Sequence, residues 1–413
     1  MRVLWFTSAP SPAVCERTGH APTGSGHWTA ALLENLVQHT EVRPCVVTAR
    51  GDLPEDHFED SGVEYFLVNH SRCAKHARTP RRSMRQCARI VREWRPDLVH
   101  VHGGEHFYGL LIARRLIDVP SILSLQGLLQ PYCRRYFGSL SSWEILKAQR
   151  MRESLRGSGI VWDYFRLKKH ARRESEILGG LRAFAGRTAW DRAYVHSLRP
   201  DARYYEVGEL LRKPFYDAVW DVGACRRHSI IFTNAGSPRR GTETLLEALV
   251  LLAREFPEVT LRLCGHLSPN RGYHRFLLRR IRRSPASHRV VRLGYLDADS
   301  MAREVSRSHV FVIPSHIENS PNSLCEAMMV GLPCVASYAG GMPSLIEEGR
   351  TGLFFPPGDP VLLADRIRSL FLNDDLAVSL GAAARRVAAE RHSVKRVLRQ
   401  LLSAYRAVLQ EPS

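Results

Sequence analysis

The 413-residue chain lacks any apolar run long enough for a transmembrane helix, which needs about 20 consecutive apolar residues. Its N-terminus also lacks the extended apolar segment of a secretory signal peptide, and the cysteine pattern leads us to expect a reducing, cytoplasmic setting. The nine cysteines are scattered, and no two of them form a Cys-x-x-Cys pair. This spacing predicts neither a zinc site nor a disulfide framework, and we expect no metal site.

Negative charge is in deficit: 59 Lys and Arg face 41 Asp and Glu, which gives a formal net charge of +18. Residues 271–289 contain seven arginines and no acid, and residues 72–95 are also strongly basic. Such segments either attract anionic lipid head groups and phosphorylated substrates or form solvated helix faces; both interpretations stay open. We expect no nucleic-acid partner, because the chain has no basic motif with interleaved aromatic residues.

Strand-like apolar runs alternate with helical patterns along most of the chain, as in α/β proteins with parallel sheets. A first series of candidate strands lies at 2–7, 43–48, 98–101 and 121–125. The pattern starts again at 229–233 and continues through 260–264 and 310–314. Two such series predict two Rossmann-like β/α/β domains facing a central cleft, with a ligand at the carboxyl ends of the strands.

The predicted boundaries follow from interruptions of this alternation, the clearest of which are Lys213-Pro214 and Trp220-Asp-Val-Gly223. We predict an N-terminal domain over 1–207, an interdomain linker over 208–226, a C-terminal domain over 227–385 and C-terminal helices over 386–413. The helix-rich, basic segment 133–185 departs from simple alternation. It either covers the cleft, binds an acceptor lipid or forms a plain helical hairpin.

The motif with the most chemical information reads Ser315-His-Ile-Glu318-Asn-Ser-Pro-Asn322-Ser323-Leu-Cys-Glu326 and follows a buried strand. We predict that the strand turns into a helix over 324–330, which stops at Gly331 and Pro333. The unpaired N–H groups at the start of a helix suit a bound phosphate. A carboxylate further along would reach the hydroxyl groups of a sugar or ribose on the same ligand.

This motif resembles the donor-site signature of the retaining GT-B glycosyltransferases of family 4. The matching residues are Glu318 and Glu326, with Pro314-Ser315 before them and 331–337 after them. The resemblance continues to residue 359 through Gly340-Gly341-Met-Pro343. It implies a GT-B fold, in which the last helix crosses back onto the first domain. It also implies hexosyl-type transfer from a nucleotide-diphosphate sugar to a hydroxyl acceptor, with retention of configuration and without a cofactor or metal.

By this resemblance, Glu318 is the catalytic carboxylate that faces the sugar, and Glu326 binds the ribose of the donor. Asn322 and Ser323 replace a glycine-rich turn of the family, and we expect them to cap the helix beside the donor phosphates. A buried glutamate without a partner is costly, so ligand hydroxyls or basic side chains should contact both carboxylates. A plain salt bridge to an arginine is the alternative for each.

The second half opens with 233–241, which is similar to the family's strand–loop–helix where an Arg and a Lys hold the pyrophosphate. Arg240 falls on the Lys position, whereas Ala235 stands on the usual Arg position. We expect Arg239 to compensate, because two guanidinium groups can neutralise a leaving diphosphate without a metal. The alternative is a pair of solvated arginines on a turn.

Three features of the first half complete the predicted site. Gly24 and Gly26 lie in a loop after the first strand, where glycines let the backbone approach a phosphate or sugar. His102 follows a strand and is the second catalytic candidate, although a core histidine is an equal alternative. Gln126 replaces a family histidine that contacts the donor sugar; its amide can bind a hydroxyl but cannot titrate. Arg187 receives no firm role.

The charge and the resemblance suggest a glycan or lipid-linked acceptor in surface polysaccharide biosynthesis. The protein would then contact the inner face of an anionic membrane peripherally. Two alternatives stay open. A GT-B-fold nucleotide-sugar epimerase would bind the same donor without an acceptor. An inactive donor-binding partner subunit is suggested by the missing arginine at Ala235.

Overall fold

The computed structural model describes residues 1–20, 27–70 and 80–410. Its contacts divide the chain into two compact units. Unit 1 comprises Met1–Gln130, Arg166–Leu211 and Arg391–Ser413, and unit 2 comprises Pro131–Phe165 and Arg212–Glu390. The chain therefore passes between the units several times, and each unit is built from segments that are distant in sequence.

Each unit contains one β-sheet. The strands are β1 (Arg2–Thr7), β2 (Arg43–Arg50), β3 (Asp56–Asp60), β4 (Val63–Asn69), β5 (Leu98–His102), β6 (Ser121–Ser124), β7 (Ala183–Gly186), β8 (Arg203–Glu206), β9 (Ser229–Thr233), β10 (Thr260–Cys264), β11 (Val290–Gly294), β12 (Val310–Ile313), β13 (Cys334–Ser337) and β14 (Leu353–Phe355). The order is β3-β4-β2-β1-β5-β6-β7-β8 in unit 1 and β11-β10-β9-β12-β13-β14 in unit 2. Every pairing is parallel except the antiparallel pair β3–β4.

Helices connect most of the parallel strands. They are α1 (Pro12–Thr18), α2 (His27–His39), α3 (Arg81–Trp94), α4 (Gly109–Ala113), α5 (Leu129–Arg134), α6 (Ser142–Ala148), α7 (Met151–Leu155), α8 (Ile160–Gly180), α9 (Ala189–Leu198), α10 (Pro214–Asp217), α11 (Thr242–Leu252), α12 (Gly272–Arg283), α13 (Ala298–Ser306), α14 (Asn322–Val330), α15 (Pro360–Leu372), α16 (Asp374–Arg391) and α17 (Val394–Leu409). Within the described ranges, no helix has the length and apolar character needed to cross a bilayer.

The core of unit 1 shows why its strands are apolar on both faces. Along β1, Leu4 and Phe6 belong to one hydrophobic cluster, whereas Val3 and Trp5 belong to a second. Successive side chains of a strand point to opposite faces of the sheet, so each cluster covers one face. Helices α3 and α4 contribute to the first cluster, and α2 and α17 contribute to the second. Parallel sheets need this two-sided cover.

The predicted α/β class with two parallel sheets is confirmed. The division of the chain differs from the predicted boundaries, because residues 131–165 belong to unit 2 rather than to the first domain. Within unit 2, helix α6 packs on α12, and the carboxylate of Glu144 lies 2.6 Å from Arg280. Helix α17 belongs to unit 1, where the Tyr405 hydroxyl accepts a 3.0 Å hydrogen bond from the indole of Trp5 on β1.

Candidate functional site

The loop between β12 and α14 in unit 2 holds a buried carboxylate between two arginines. An oxygen of Glu318 accepts a 3.2 Å hydrogen bond from Arg239 and a second, very short one from Arg240. Both arginine side chains are largely buried. A buried carboxylate is stable only with such partners. The structure therefore brings together three of the side chains that the sequence analysis selected.

Two glycines of the sequence motifs shape this loop. Gly241 follows Arg240 with a φ of 69°, and a Cβ there would collide with the carbonyl oxygen of Pro314. Gly340 has a φ of 59°, and its Cβ would collide with the carbonyl oxygen of Glu318. A left-handed conformation and a close backbone approach both require glycine. The two glycines allow the segments around 240 and 340 to close on the loop that carries Glu318.

The net charge of this cluster is positive. One carboxylate opposes two guanidinium groups, and burial lowers the pKa of Arg240 while the charge of Glu318 raises it. At the position where the family has an arginine, Ala235 is buried, and its carbonyl accepts a 3.3 Å hydrogen bond from Thr242. Arg239 and Arg240 thus supply the cationic groups beside Glu318, and their excess positive charge suits an anionic ligand.

Segment 131–141 packs on the same loop from within unit 2. The guanidinium of Arg239 lies 4.5 Å from the ring centre of Tyr132, a cation–π contact. Burial, reinforced by Glu318, raises the pKa of Tyr132 to about 12, so its hydroxyl stays protonated at neutral pH. His316 Nε2 lies 3.1 Å from the Ser139 hydroxyl, and burial lowers the pKa of His316 to about 4. Neither ring stands out in the sequence as a site candidate.

Helix α14 begins two residues earlier than predicted, at Asn322. The predicted capping by Asn322 and Ser323 is wrong, because Pro321 occupies the N-cap position and contributes no side-chain hydrogen bond. A proline ring has no acceptor with which to cap a helix.

Glu326 lies one turn into α14 and is buried. Arg212 donates a hydrogen bond to each of its two carboxylate oxygens, with Nε–Oε1 and Nη2–Oε2 distances of 2.6 and 2.8 Å. Burial raises the pKa of Glu326, and the hydrogen bonds from Arg212 oppose that shift. The guanidinium also lies 4.8 Å from the ring centre of Phe215. A bidentate pair of this kind fixes the orientation of the carboxylate.

Arg212 is a functional candidate that the sequence analysis missed. It stands 114 residues before Glu326, in the stretch predicted to be a linker. No periodicity or motif connects the two positions. The only available signal is the general rule that a buried glutamate needs a cationic or hydrogen-bonding partner.

In unit 1, adjacent strands collect polar groups at one edge of the sheet. Strands β5, β6 and β7 are parallel neighbours, and His102, Gln126 and Arg187 stand at or just beyond their carboxyl ends. A cavity of about 360 Å³ lies here, lined by His102, Gln126, Glu105 and Trp28 among others. Its lining can offer hydrogen bonds to a ligand that carries several hydroxyl groups.

His102 is buried against aromatic rings and is neutral. Its ring centre lies 4.4 Å from that of Trp5 and 5.4 Å from that of Trp28. Burial lowers the pKa of His102 well below its ordinary value, and His100 and Arg187 lower it further. Neither ring nitrogen of His102 has a hydrogen-bond partner among the residues that the structure describes. Buried polar atoms usually have partners, so these nitrogens are candidates for ligand contact.

The neighbouring His100 shows the structural alternative. Its two ring nitrogens lie 2.7 Å from the hydroxyls of Tyr405 and Ser124. Burial lowers the pKa of His100 to about 3. His100 is therefore a fully bonded core histidine, whereas His102, two residues along the same strand, is not.

Arg187 contacts the residues at the carboxyl end of β6 and orients Gln126. It forms a buried ion pair with Glu209 and donates 2.8 and 3.2 Å hydrogen bonds to the Leu125 carbonyl and to Oε1 of Gln126. The amide of Gln126 is thereby oriented with its oxygen towards a cation. Glu105, also missed, lines the same cavity, and burial raises the pKa of its carboxyl.

Two selected positions, Gly24 and Gly26, lie outside the described residues. Over the part of the chain that is described, no group of three or more His, Cys, Asp or Glu side chains is arranged to hold a metal ion.

Two family models match the chain. Residues 226–387 match the model described as "Glycosyl transferases group 1", and residues 23–162 match the "Glycosyl transferase 4-like domain". The first match contains Arg239, Arg240, Glu318 and Glu326. The second contains His102 and Gln126. Arg187 and Arg212 lie between the two matched regions.

Known proteins support the same relationship. A sulfoquinovosyl transferase of Arabidopsis thaliana is 27% identical over 350 residues, covering 82% of this chain, and the match spans 62% of that relative's length. Sucrose-phosphate synthase from Thermosynechococcus elongatus shares the fold, with a TM-score of 0.73, 18% identity and 99% coverage of both chains. The Anabaena protein HepE, solved in complex with UDP-glucose, has a TM-score of 0.68, 16% identity and coverage of 98% of this chain and all of its own.

Proposed function

We propose, on the premise that the chain belongs to the GT-B glycosyltransferases of group 1, that it transfers a sugar from a nucleotide-diphosphate sugar to a hydroxyl acceptor with retention of configuration. The single observation that carries this proposal is the buried cluster of Arg239, Arg240 and Glu318. It combines an excess of positive charge with a carboxylate, and those are the groups that a sugar diphosphate requires.

In the free protein Glu318 neutralises part of the charge of both arginines. The diphosphate of a bound donor would replace that carboxylate on the guanidinium groups, because a phosphate accepts bidentate hydrogen bonds as well as a carboxylate does. Glu318 would then turn to the hydroxyl groups of the sugar. This exchange leaves neither the arginines nor the glutamate without a partner, so the buried charges remain compensated throughout binding.

Glu326 is proposed to bind the ribose. The guanidinium of Arg212 donates one hydrogen bond to each oxygen of this carboxylate, and the backbone N–H of Arg212 donates a further one. Of the about four acceptor sites of a carboxylate, one remains, and a ribose hydroxyl can donate to it. Arg212 is then a positioning residue that holds the carboxylate ionised and oriented in spite of its burial.

The chemical step breaks the bond between the anomeric carbon and the diphosphate oxygen and forms a new bond to the acceptor oxygen on the same face. The acceptor proton passes to the leaving diphosphate, whose charge Arg239 and Arg240 stabilise. His102 and Gln126 are proposed to hydrogen-bond sugar hydroxyls as neutral groups. For the acceptor we propose a glycan or lipid-linked saccharide in surface polysaccharide biosynthesis, handled by a cytoplasmic enzyme.

The first experiment is a thermal-shift screen with UDP, ADP, GDP and their sugars on the wild type, Glu326→Gln and Arg240→Ala. A ligand that binds the native state raises the melting temperature according to its concentration relative to Kd. We expect one nucleotide to stabilise the wild type and to stabilise both variants less. No stabilisation by any nucleotide, in a protein that melts cooperatively, would contradict the proposal.

The stabilising nucleotide sugar is then incubated with saccharide acceptors and the products are analysed. Transfer of the sugar supports the proposed reaction. An isomerised donor without transfer would indicate the epimerase. Binding without turnover would indicate an inactive donor-binding subunit.

A further inference from the structure

Helices α6 and α7 of unit 2 expose an unusual set of large apolar side chains. Trp143 and Leu146 on α6 are each 62% exposed, and Met151 and Leu155 on α7 are 82% and 83% exposed. Isolated exposed apolar residues are normal on a protein surface. Four of them on two consecutive short helices form a cluster of the kind that marks an interaction site.

Helix α6 packs on α12, and α7 contacts the start of α12. Arg280 of α12 pairs with Glu144 of α6 at 2.6 Å. At the start of α12, the N–H of Gly272 donates a 2.8 Å hydrogen bond to Glu153 of α7. Arg150, just before α7, donates a 2.8 Å hydrogen bond to a carbonyl of the loop before α12. The exposed apolar side chains are therefore neighbours of a strongly basic helix.

The basic helix keeps most of its charge free for a partner. Arg279, Arg282 and Arg283 are exposed, and none of them lies within ion-pair distance of a carboxylate among the described residues. The two nearby acids, Glu144 and Glu247, both pair with Arg280. Lys147 of α6 has no carboxylate partner within the same described ranges and lies 5.1 Å from the ring centre of Trp143.

A groove of about 670 Å³ runs between α6, α11 and α12. Leu246, Val250 and Phe276 contribute apolar lining, and Lys147, Arg279 and Arg283 contribute positive charge. The chemistry that fits this lining is an anionic head group joined to an apolar chain, because the two kinds of side chain lie side by side.

We propose that α6, α7 and α12 form a surface that docks onto an anionic lipid bilayer. The arginines of α12 and Lys147 bind lipid phosphates, and the apolar side chains of α6 and α7 enter the interfacial region. Short amphipathic helices with Trp and Leu on one side and cations on the other bind membranes in this way. The proposal does not depend on the glycosyl transfer proposed above, because docking requires neither donor nor acceptor.

A second basic groove in unit 1 supplies a matched comparison. It has a volume of about 720 Å³ and lies on α17, where Lys395, Arg399 and Arg406 are exposed beside the buried Leu398. No large apolar side chain of α17 is exposed. This groove thus offers cations without side chains that can insert, so it should attract lipid head groups more weakly.

The test is co-sedimentation of the full chain with vesicles of phosphatidylcholine alone and with vesicles that contain phosphatidylglycerol. We expect binding only to the anionic vesicles and weaker binding at high salt, since screening shortens the reach of surface charges. Arg279→Glu/Arg283→Glu should reduce partitioning at least tenfold, because each lost cation weakens binding about fivefold. Trp143→Ser/Leu146→Ser should reduce it by a similar factor.

The control variant is Lys395→Glu/Arg399→Glu, which makes the same charge change on α17 and should stay within about twofold of the wild type. Melting curves with and without the stabilising nucleotide verify that each variant is folded and separate this proposal from the proposed function. Absence of wild-type binding, or an equal loss in the control, would overturn the proposal. A dimer that persists at high salt, and that the Trp143→Ser/Leu146→Ser variant converts to a monomer, would identify a protein interface instead. That result would also overturn the proposal.

Discussion

The polar sites of the two units consist of different kinds of side chains. In unit 2 the site consists of ions: Glu318 lies between Arg239 and Arg240, and Glu326 is held by Arg212. In unit 1 the cavity around His102 is lined mainly by uncharged side chains, and its ionisable exceptions are Arg50 and Glu105, of which burial raises the pKa of Glu105. The ionic site is internally satisfied, whereas both ring nitrogens of His102 lack partners among the described residues.

This difference follows from the cost of burial. An unpaired ion inside a protein costs far more than an unpaired neutral group, so ions must be compensated before any ligand arrives. Under the proposed function, a ligand of unit 2 exchanges partners with existing ion pairs, whereas a ligand of unit 1 mainly adds hydrogen bonds. Mutations should consequently have larger effects on the ionic site.

The largest effect is expected for Arg240→Ala. It leaves the buried Glu318 with only Arg239 and removes a cation proposed to stabilise the leaving diphosphate. We expect kcat/KM to fall by about a thousandfold and the free energy of unfolding to fall by about 2 kcal/mol. Arg368→Ala is the control, since its pair with Glu255 is exposed and its loss should change kcat/KM less than about twofold. Equal kinetics of the two variants would contradict the ionic role.

The next largest effects are expected for variants of Glu326 and of Arg212, which positions its carboxylate. Glu326→Gln should raise KM for the nucleotide sugar by about tenfold to a hundredfold with a smaller change in kcat, because a ribose contact is made in ground state and transition state alike. Arg212→Ala should raise KM similarly and also lower the free energy of unfolding by about 3 kcal/mol. Steady-state kinetics and urea denaturation measure both. Stability loss in Arg212→Ala without a change in KM would mean that this pair is only structural.

Buried neutral histidines should make the stability depend on pH in both units, because burial lowers the pKa of His309 and of His316 in unit 2 to about 4 as well. In the folded state the pKa of His100 is about 3 and those of His106 and His392 are about 4, against about 6.5 in the unfolded chain. The unfolded state binds protons first, so stability is complete above pH 6.5 and falls as the pH drops towards 4. Each such histidine contributes a slope of about 1.4 kcal/mol per pH unit.

His100→Gln tests this expectation by denaturant titration at pH 7.5, 6 and 5. The variant keeps a hydrogen-bonding side chain between Tyr405 and Ser124 but cannot titrate. We expect lower stability at pH 7.5 and a shallower decline towards pH 5 than in the wild type. Parallel declines would show that His100 does not contribute.

The smallest effect on stability is expected at His102. His102→Leu removes two ring nitrogens without partners among the described residues, so the free energy of unfolding should change by less than about 1 kcal/mol. Transfer should nevertheless slow by about tenfold if these nitrogens bind a sugar hydroxyl. His102→Gln, which restores hydrogen-bonding capacity, should recover part of the rate. An unchanged rate in the leucine variant would mark His102 as a core residue.

Much of the fold could be predicted because it depends on local pattern. The predicted strand at 229–233 coincides with β9, and the run at 310–314 differs by one residue from β12. Helix α14 begins two residues before the predicted start, because Pro321 rather than a polar side chain precedes it. The structure groups segment 131–165 with unit 2, and contacts between residues distant in sequence, such as the ion pair of Glu144 with Arg280 on α12, leave no local signal in the sequence.

The amino-acid sequence shows which kinds of groups the site contains and in what order: two carboxylates eight positions apart, two adjacent arginines and the glycines that let the backbone close around them. They are identified by their resemblance to a family signature, which consists of turn residues and spacings over a few residues. The partner of each group depends on the fold. The fold pairs Arg212 with Glu326 and gives Arg187 its contacts with Glu209 and Gln126. Among the described residues it provides hydrogen-bond partners for both ring nitrogens of His100 and for neither ring nitrogen of His102. Residues paired in this way can stand more than a hundred positions apart in the sequence, as Arg212 and Glu326 do. Burial makes such pairs necessary, because an ion removed from water needs an opposite charge, and the fold determines which one lies within reach.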